Sequence, residues 1–192
     1  MTEDFAARVI GLFERIHPLD RVPRAGFLLR GVPEPESVAA HSHAVSLMAV
    51  CFLEAHPGRW DFRRAVGMAL IHDLSEAVLM DIPMPAADAH FRREKQAAEQ
   101  AILEGLFAGF SFSDGMAGLH RELVEGETGE ARLVRGLDKA QMMIKVLCYE
   151  AEHRGRLAEF WENPANFNDY GVSEVSRLFD AVCARAGRPR PR

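Results

Sequence analysis

The sequence predicts an all-α fold, a helical bundle of about six to eight helices with no sheet. Apolar residues recur at helical spacing along most of the 192 residues. The stretches that break this spacing are short and rich in Pro, Gly, Asn and Asp. No stretch alternates apolar and polar residues, and none carries hairpin chemistry. The length suits one domain with a sizeable core, expected over residues 1–187. Residues 188–192, Arg-Pro-Arg-Pro-Arg, are expected to be a disordered tail.

Thr2, Glu3 and Asp4 predict a helix start. Phe5, Val9, Leu12, Phe13 and Ile16 supply its apolar stripe, and Pro18 closes it. Residues 20–36 break into Pro, Gly and Arg, with apolar anchors at Phe27, Leu28 and Leu29 that make the segment an ordered loop. Ser37 is the expected cap of a helix to about Ala55, whose stripe of Val38, His41, Val45, Met48 and Phe52 turns His41 inward. His43 falls on another side and is the weaker candidate. Asp61 caps the next predicted helix, read as continuous to about Met80, with Asp81 to Pro85 as an extended exit. Further helices are expected from about Asp88 to Gly109, Met116 to Val124, Thr128 to about His153, and Ser173 to Ala186 before Gly187. The third of these has the stripe Ala131, Val134, Asp138, Met142, Val146, Tyr149, with one carboxylate in an apolar series.

A net charge of −5 argues against a nucleic-acid polymer as partner, since phosphate backbones demand a basic surface. Cys51, Cys148 and Cys183 are widely spaced, which suggests neither a zinc ribbon nor a disulfide framework. The sequence shows no N-terminal signal pattern and no apolar run read as membrane-spanning, so a cytoplasmic protein without a membrane partner is expected.

Within the central helix, Leu70-Ile71-His72-Asp73-Leu74-Ser75-Glu76 puts an imidazole and two carboxylates on one inward arc. Buried carboxylates are costly unless paired or bound to a metal. His41, His72, Asp73 and Asp138 come from three helices, the usual way to build a side-chain metal site in a helical core. Each residue alone is equally readable as a satisfied core group. Together, two imidazoles and two carboxylates suit one divalent transition metal, with Mn, Co, Fe, Ni and Zn all compatible.

The order His41…His72-Asp73…Asp138 resembles the signature of the HD-domain metal-dependent phosphohydrolases. The flanking residues narrow the resemblance: Arg24-x-Gly26-Phe27, Pro35-Glu36-Ser37-Val38-x-x-His41, Leu70-Ile71-His72-Asp73-x-x-Glu76, Asp81-Ile82-x-x-Pro85, and Leu137-Asp138-Lys139 with Tyr149-Glu150. Over residues 5–152 they look like the 5′-deoxynucleotidase branch, which removes phosphate from deoxynucleoside 5′-monophosphates. The resemblance implies a single HD domain, the four metal ligands above, Arg24 on the substrate phosphate, and Asp81 as a carboxylate that holds substrate or relays a proton. It also implies a homodimer. Two positions depart from the pattern. Phe27 stands where a Trp shapes the sugar pocket, which bears on 2′-deoxy selectivity. Met80 stands where a Gly precedes the Asp, which bears on the turn presenting Asp81.

One turn after His72, Glu76 is the expected general acid/base; its alternative is to orient a ligating His. Asp81 reads equally as a turn cap before Pro83. Glu122 and Glu127 are left out as a solvated face. His90 and His120 are expected at the surface, hence one metal. The expected partner is a small nucleotide. The alternatives are a nucleotide pyrophosphatase, a triphosphohydrolase, a cyclic-nucleotide phosphodiesterase, or a non-catalytic metal- or nucleotide-binding regulatory module.

Overall fold

The computed structural model describes residues 3–83 and 90–191. Thr2, Pro85 and the expected helix start at Asp88 lie outside them. The helices are α1 (Glu3–Ile16), α2 (Ala25–Leu28), α3 (Val38–Ala55), α4 (Phe62–Ile71), α5 (Glu76–Leu79), α6 (Arg92–Phe107), α7 (Ser113–Glu125), α8 (Gly129–Ala151), α9 (Ala158–Glu162) and α10 (Ser173–Ala186). Among the described residues there is no strand, only an isolated antiparallel bridge between Pro23 and Ser37. The all-α expectation holds.

Three predicted caps form as the local chemistry requires. The side-chain oxygens of Ser37, Asp61 and Thr128 accept from the N–H groups of Ala40 (3.2 Å), Arg64 (2.8 Å) and Ala131 (3.3 Å). Each replaces an otherwise unpaired donor and contributes about 1 kcal/mol. The long α8 runs through the middle, with α3, α4, α7 and α10 packed on it. Val45, Met68, Leu133, Leu137, Met143 and Phe179 fill the space between them. A second cluster of Ile71, Leu103, Leu106 and Phe107 seats α6 against the end of α4.

Three expectations need correction. Residues 62–79 are not one helix: α4 stops at Ile71, and N–H groups of Leu74, Glu76, Ala77 and Val78 bond three residues back rather than four. This tightened 3₁₀ turn draws His72 and Asp73 toward the interior, and Glu76 opens a separate short helix. The C-terminal tail is not loose over its described part. Arg188 pairs with Glu150 (3.2 Å), and Arg190 binds Asp169 (3.0 Å) and the carbonyl of Phe167 (2.8 Å). Finally, α3 is long and apolar enough to cross a membrane by length and composition, with a mean hydropathy of 1.4. Here it is a core helix, with His41, Val45, Ala49 and Leu53 buried against α4 and α8.

Candidate metal centre

Three elements bring the four predicted ligands together. His41 comes from the second turn of α3 and is fully buried. His72 and Asp73 come from the tightened turn after α4, and Asp138 from the middle of α8. His41 Nε2 lies 3.3 Å from His72 Nε2, 3.2 Å from Asp138 Oδ1 and 3.6 Å from Asp73 Oδ2. His72 Nε2 is 3.2 Å from Asp73 Oδ2. One ligand atom each from His41, His72 and Asp73 falls within 4.8 Å of the others, and Asp138 adjoins this group through His41.

The donor chemistry fits a divalent cation. His72 Nδ1 is 2.8 Å from the carbonyl of Ala69, which can only accept, so that nitrogen carries the hydrogen and Nε2 faces the cluster. Two imidazole nitrogens facing each other beside two carboxylates form a nest of electron pairs that calls for positive charge. Burial opposes the charge on His72, but Asp73 outweighs it and lifts the imidazole to about 9. Against the same cost of burial, the His72 charge holds Asp73 below the ordinary carboxylate range, and Lys139 and His41 do so for Asp138. A metal ion would supply that positive charge, held by His41, His72, Asp73 and Asp138.

Arg24 enters from the opposite side. Its N–H bonds the carbonyl of Glu36 (3.0 Å), and Val38 N–H bonds the carbonyl of Val22 (2.9 Å), which pins the loop to the start of α3. The guanidinium stands 3.4 Å from Asp73 Oδ2 and 4.0 Å from Asp81 Oδ2. Burial works against its charge, yet Asp73, Asp138 and Asp81 keep it firmly protonated. Asp81 Oδ2 also accepts the N–H of Ala25 (2.7 Å), so this carboxylate fixes the Arg24 loop as well as facing the site.

Glu76 is 5% exposed, and its Oε2 finds no hydrogen-bond partner among the described residues. Burial first, then Asp73 and Asp81, push its carboxyl up to about 10, so it stays protonated near neutrality. Phe27 is a core residue, edge-on to Tyr149 and stacked on Phe160. The structure therefore places it behind the Arg24 loop among aromatic rings. His43 and His90 are exposed, and Glu122 pairs with Arg64 and accepts from Thr128 Oγ1.

His120 departs from its expected surface position. It is 2% exposed, with Nδ1 2.7 Å from Gln100 Oε1. It shares a cavity of about 190 Å³ with His72, Asp73 and Asp138, together with Gln96 and Glu99. Ala117, His120 and Leu123 are three apart on α7 and all buried, a stripe hidden by the charged residues around it. Sequence reasoning also missed Gln141, three residues after Asp138 on the same face of α8. Its Oε1 lies 2.7 Å from His41 Nδ1.

Comparison with known proteins gives a consistent picture. The family model described as HD domain matches residues 16–170. The curated "5'-deoxynucleotidase HDDC2" of Xenopus laevis is 32% identical over 168 residues, covering 85% of this chain and 80% of that protein. Its Homo sapiens counterpart of the same name is 30% identical over 199 residues, covering 96% and 93%. A conserved hypothetical protein from Pyrococcus furiosus superposes with a TM-score of 0.76 at 30% identity, covering 91% of this chain and 99% of its own.

Proposed function

The chain belongs to the HD domain family, and on that premise we propose that it is a metal-dependent phosphomonoesterase that hydrolyses (deoxy)nucleoside 5′-monophosphates to nucleoside and phosphate. The observation that carries this reading is the convergence of His41, His72, Asp73 and Asp138 beside the buried guanidinium of Arg24. His41, His72, Asp73 and Asp138 would hold a single divalent ion, which would supply Lewis acidity and lower the pKa of water there. Arg24, with two parallel N–H donors, binds the non-bridging phosphate oxygens and orients phosphorus for in-line attack by water. Asp81 anchors the N–H of Ala25 and so fixes the position from which Arg24 reaches the phosphate. As water bonds to phosphorus and the ester bond breaks, the protonated carboxyl of Glu76 gives its hydrogen to the departing sugar oxygen, and the proton lost by the attacking water restores the carboxyl. Phe27 supports the loop from behind, so the sugar preference belongs to the loop it shapes.

A triphosphate substrate would call for further free cations at the site, and Arg30 is already engaged by Glu159. The relatives' printed activity and the intact ligand set favour the monophosphate reading over a regulatory module. A homodimer in the cytoplasm completes the proposal, and light scattering checks the assembly. The central test joins metal analysis of the purified chain to phosphate release from dAMP, dTMP and AMP. Asp138→Ala is expected to lose both metal and turnover; retained hydrolysis by this variant overturns the assignment.

A further inference from the structure

The geometry points to Glu36 and Gln141 as a positioning pair that sets which ring nitrogen of His41 faces the metal centre. His41 is fully buried, so its tautomer is decided by protein groups alone. Its Nδ1 lies 2.7 Å from Gln141 Oε1. A side-chain amide can turn over without changing shape, and the flipped form would offer its NH₂ to Nδ1 instead. Glu36 forbids that flip. Its two carboxylate oxygens lie 2.9 Å and 3.2 Å from Gln141 Nε2, and a carboxylate only accepts. The amide must therefore give its NH₂ to Glu36 and its oxygen to His41. Nδ1 then carries a hydrogen, so Nε2 is the ring nitrogen offered to a metal ion beside Asp138, Asp73 and His72.

Lys145 Nζ lies 3.6 Å from Glu36 Oε2, an ion-pair partner for this buried side chain. Glu36 is held at its own backbone too: its N–H donates to Tyr149 Oη (2.8 Å) and its carbonyl accepts from Arg24 (3.0 Å). One residue thus anchors both the tautomer of a metal ligand and the loop that carries Arg24. Neither Glu36 nor Gln141 touches substrate in this scheme; both act through His41.

Glu36→Gln preserves volume but permits either amide order, and Gln141→Met removes the acceptor. Zinc affinity, measured by competition with a fluorescent chelator, is expected to fall roughly tenfold to a hundredfold in each, the usual cost of losing such an orienting partner. The double variant is expected to be no weaker than Gln141→Met alone, because Glu36 works only through the amide. Ring-nitrogen NMR is expected to show His41 protonated at Nδ1 in the unaltered chain and mixed in Glu36→Gln. Unchanged affinity in both single variants, fully additive losses, or an unaltered tautomer overturns the inference. Because the inference rests on the metal reading, the two failures are kept apart. If the unaltered chain binds no zinc, the metal reading falls, while the ring-nitrogen spectra still decide the role of Glu36. Should Gln141→Met not fold, Glu36→Gln carries both readouts by itself.

Discussion

Replacing Glu76 by Gln should cost the protein its turnover and increase its stability. The folded chain holds the Glu76 proton up to about pH 10, whereas an ordinary glutamate releases it near 4.5. Between those values unfolding sheds a proton, so stability falls as pH rises. At about pH 7.5 the separation from 4.5 is about three units, or about 4 kcal/mol at about 1.4 kcal/mol per unit. Relaxation around the carboxyl and entry of water reduce this to about 2 kcal/mol. Gln has the same shape and no charge to suppress. The protonated acid brings one O–H donor without a partner and the amide two N–H donors, so the extra unpaired donor offsets part of that gain. Thermal melts of metal-free protein at about pH 5 and about pH 8 test the reasoning, with a gain of about 4–8 °C expected for the variant at the higher pH. Near pH 5 the gain is expected to shrink to under about 1 kcal/mol, because the pH is then only about half a unit above the pKa of the unfolded carboxyl. An equal gain at both pH values, or none at either, refutes the account. Phosphate release by Glu76→Gln at saturating metal should fall by about a hundredfold to ten-thousandfold if the carboxyl supplies the proton.

The other predictions concern Arg24, Met80, Gly155 and the metal. Arg24→Lys should lower kcat/KM by about a hundredfold and leave metal content unchanged, because an ammonium cannot make the paired contact of a guanidinium; isotherms for metal and for inorganic phosphate separate the two effects. Met80 has φ 64° and ψ 170°, a region open essentially to Gly. Met80→Gly should therefore stabilise the chain by about 1 kcal/mol after the extra entropy of unfolded Gly is set against the relieved strain, as read from a denaturant midpoint. Gly155 has φ 77°, and a Cβ there would meet Val32 Cγ2 at 2.6 Å and the carbonyl of Arg30 at 3.1 Å. Gly155→Ala should cost about 2–3 kcal/mol and loosen the contact between the α2 loop and the chain after α8, measured in the same way. A chelator should abolish phosphate release, and added Mn or Co should restore it, with recovered activity tracking metal bound per chain.

The sequence made legible what is decided within one or two turns. Ser37, Asp61 and Thr128 cap their helices because a side-chain oxygen two or three residues away is enough to satisfy an N–H. His41 and Asp138 stood out because each interrupts an apolar stripe, and their elements do bring them within hydrogen-bond distance. What stayed hidden depends on distant partners. The break at His72 was illegible because no Pro or Gly marks it; the 3₁₀ turn is favoured by the cluster it feeds. Gln141 carried a usable signal in its offset of three from Asp138, but a glutamine on a helix face announces nothing until His41, 100 positions earlier, is known to meet it. Phe27 read as a pocket wall because its loop does, while the rings that enclose it come from α8 and α9.

Met80 and Glu76 suggest why both kinds of residue occur so close together. The first keeps a side chain where the backbone suits Gly, and the second keeps a carboxyl where burial opposes its charge. Each lowers stability, and each lies within five residues of Asp81, which fastens the Arg24 loop. If the strain at Met80 and the suppressed ionisation of Glu76 serve the placement of Arg24 and Glu76 around a phosphate, then relieving either should stabilise the fold, but only the change at Glu76 should remove turnover. Met80→Gly is thus the informative control, because it tests whether the turn before Asp81 is merely tolerated or is needed to hold the loop.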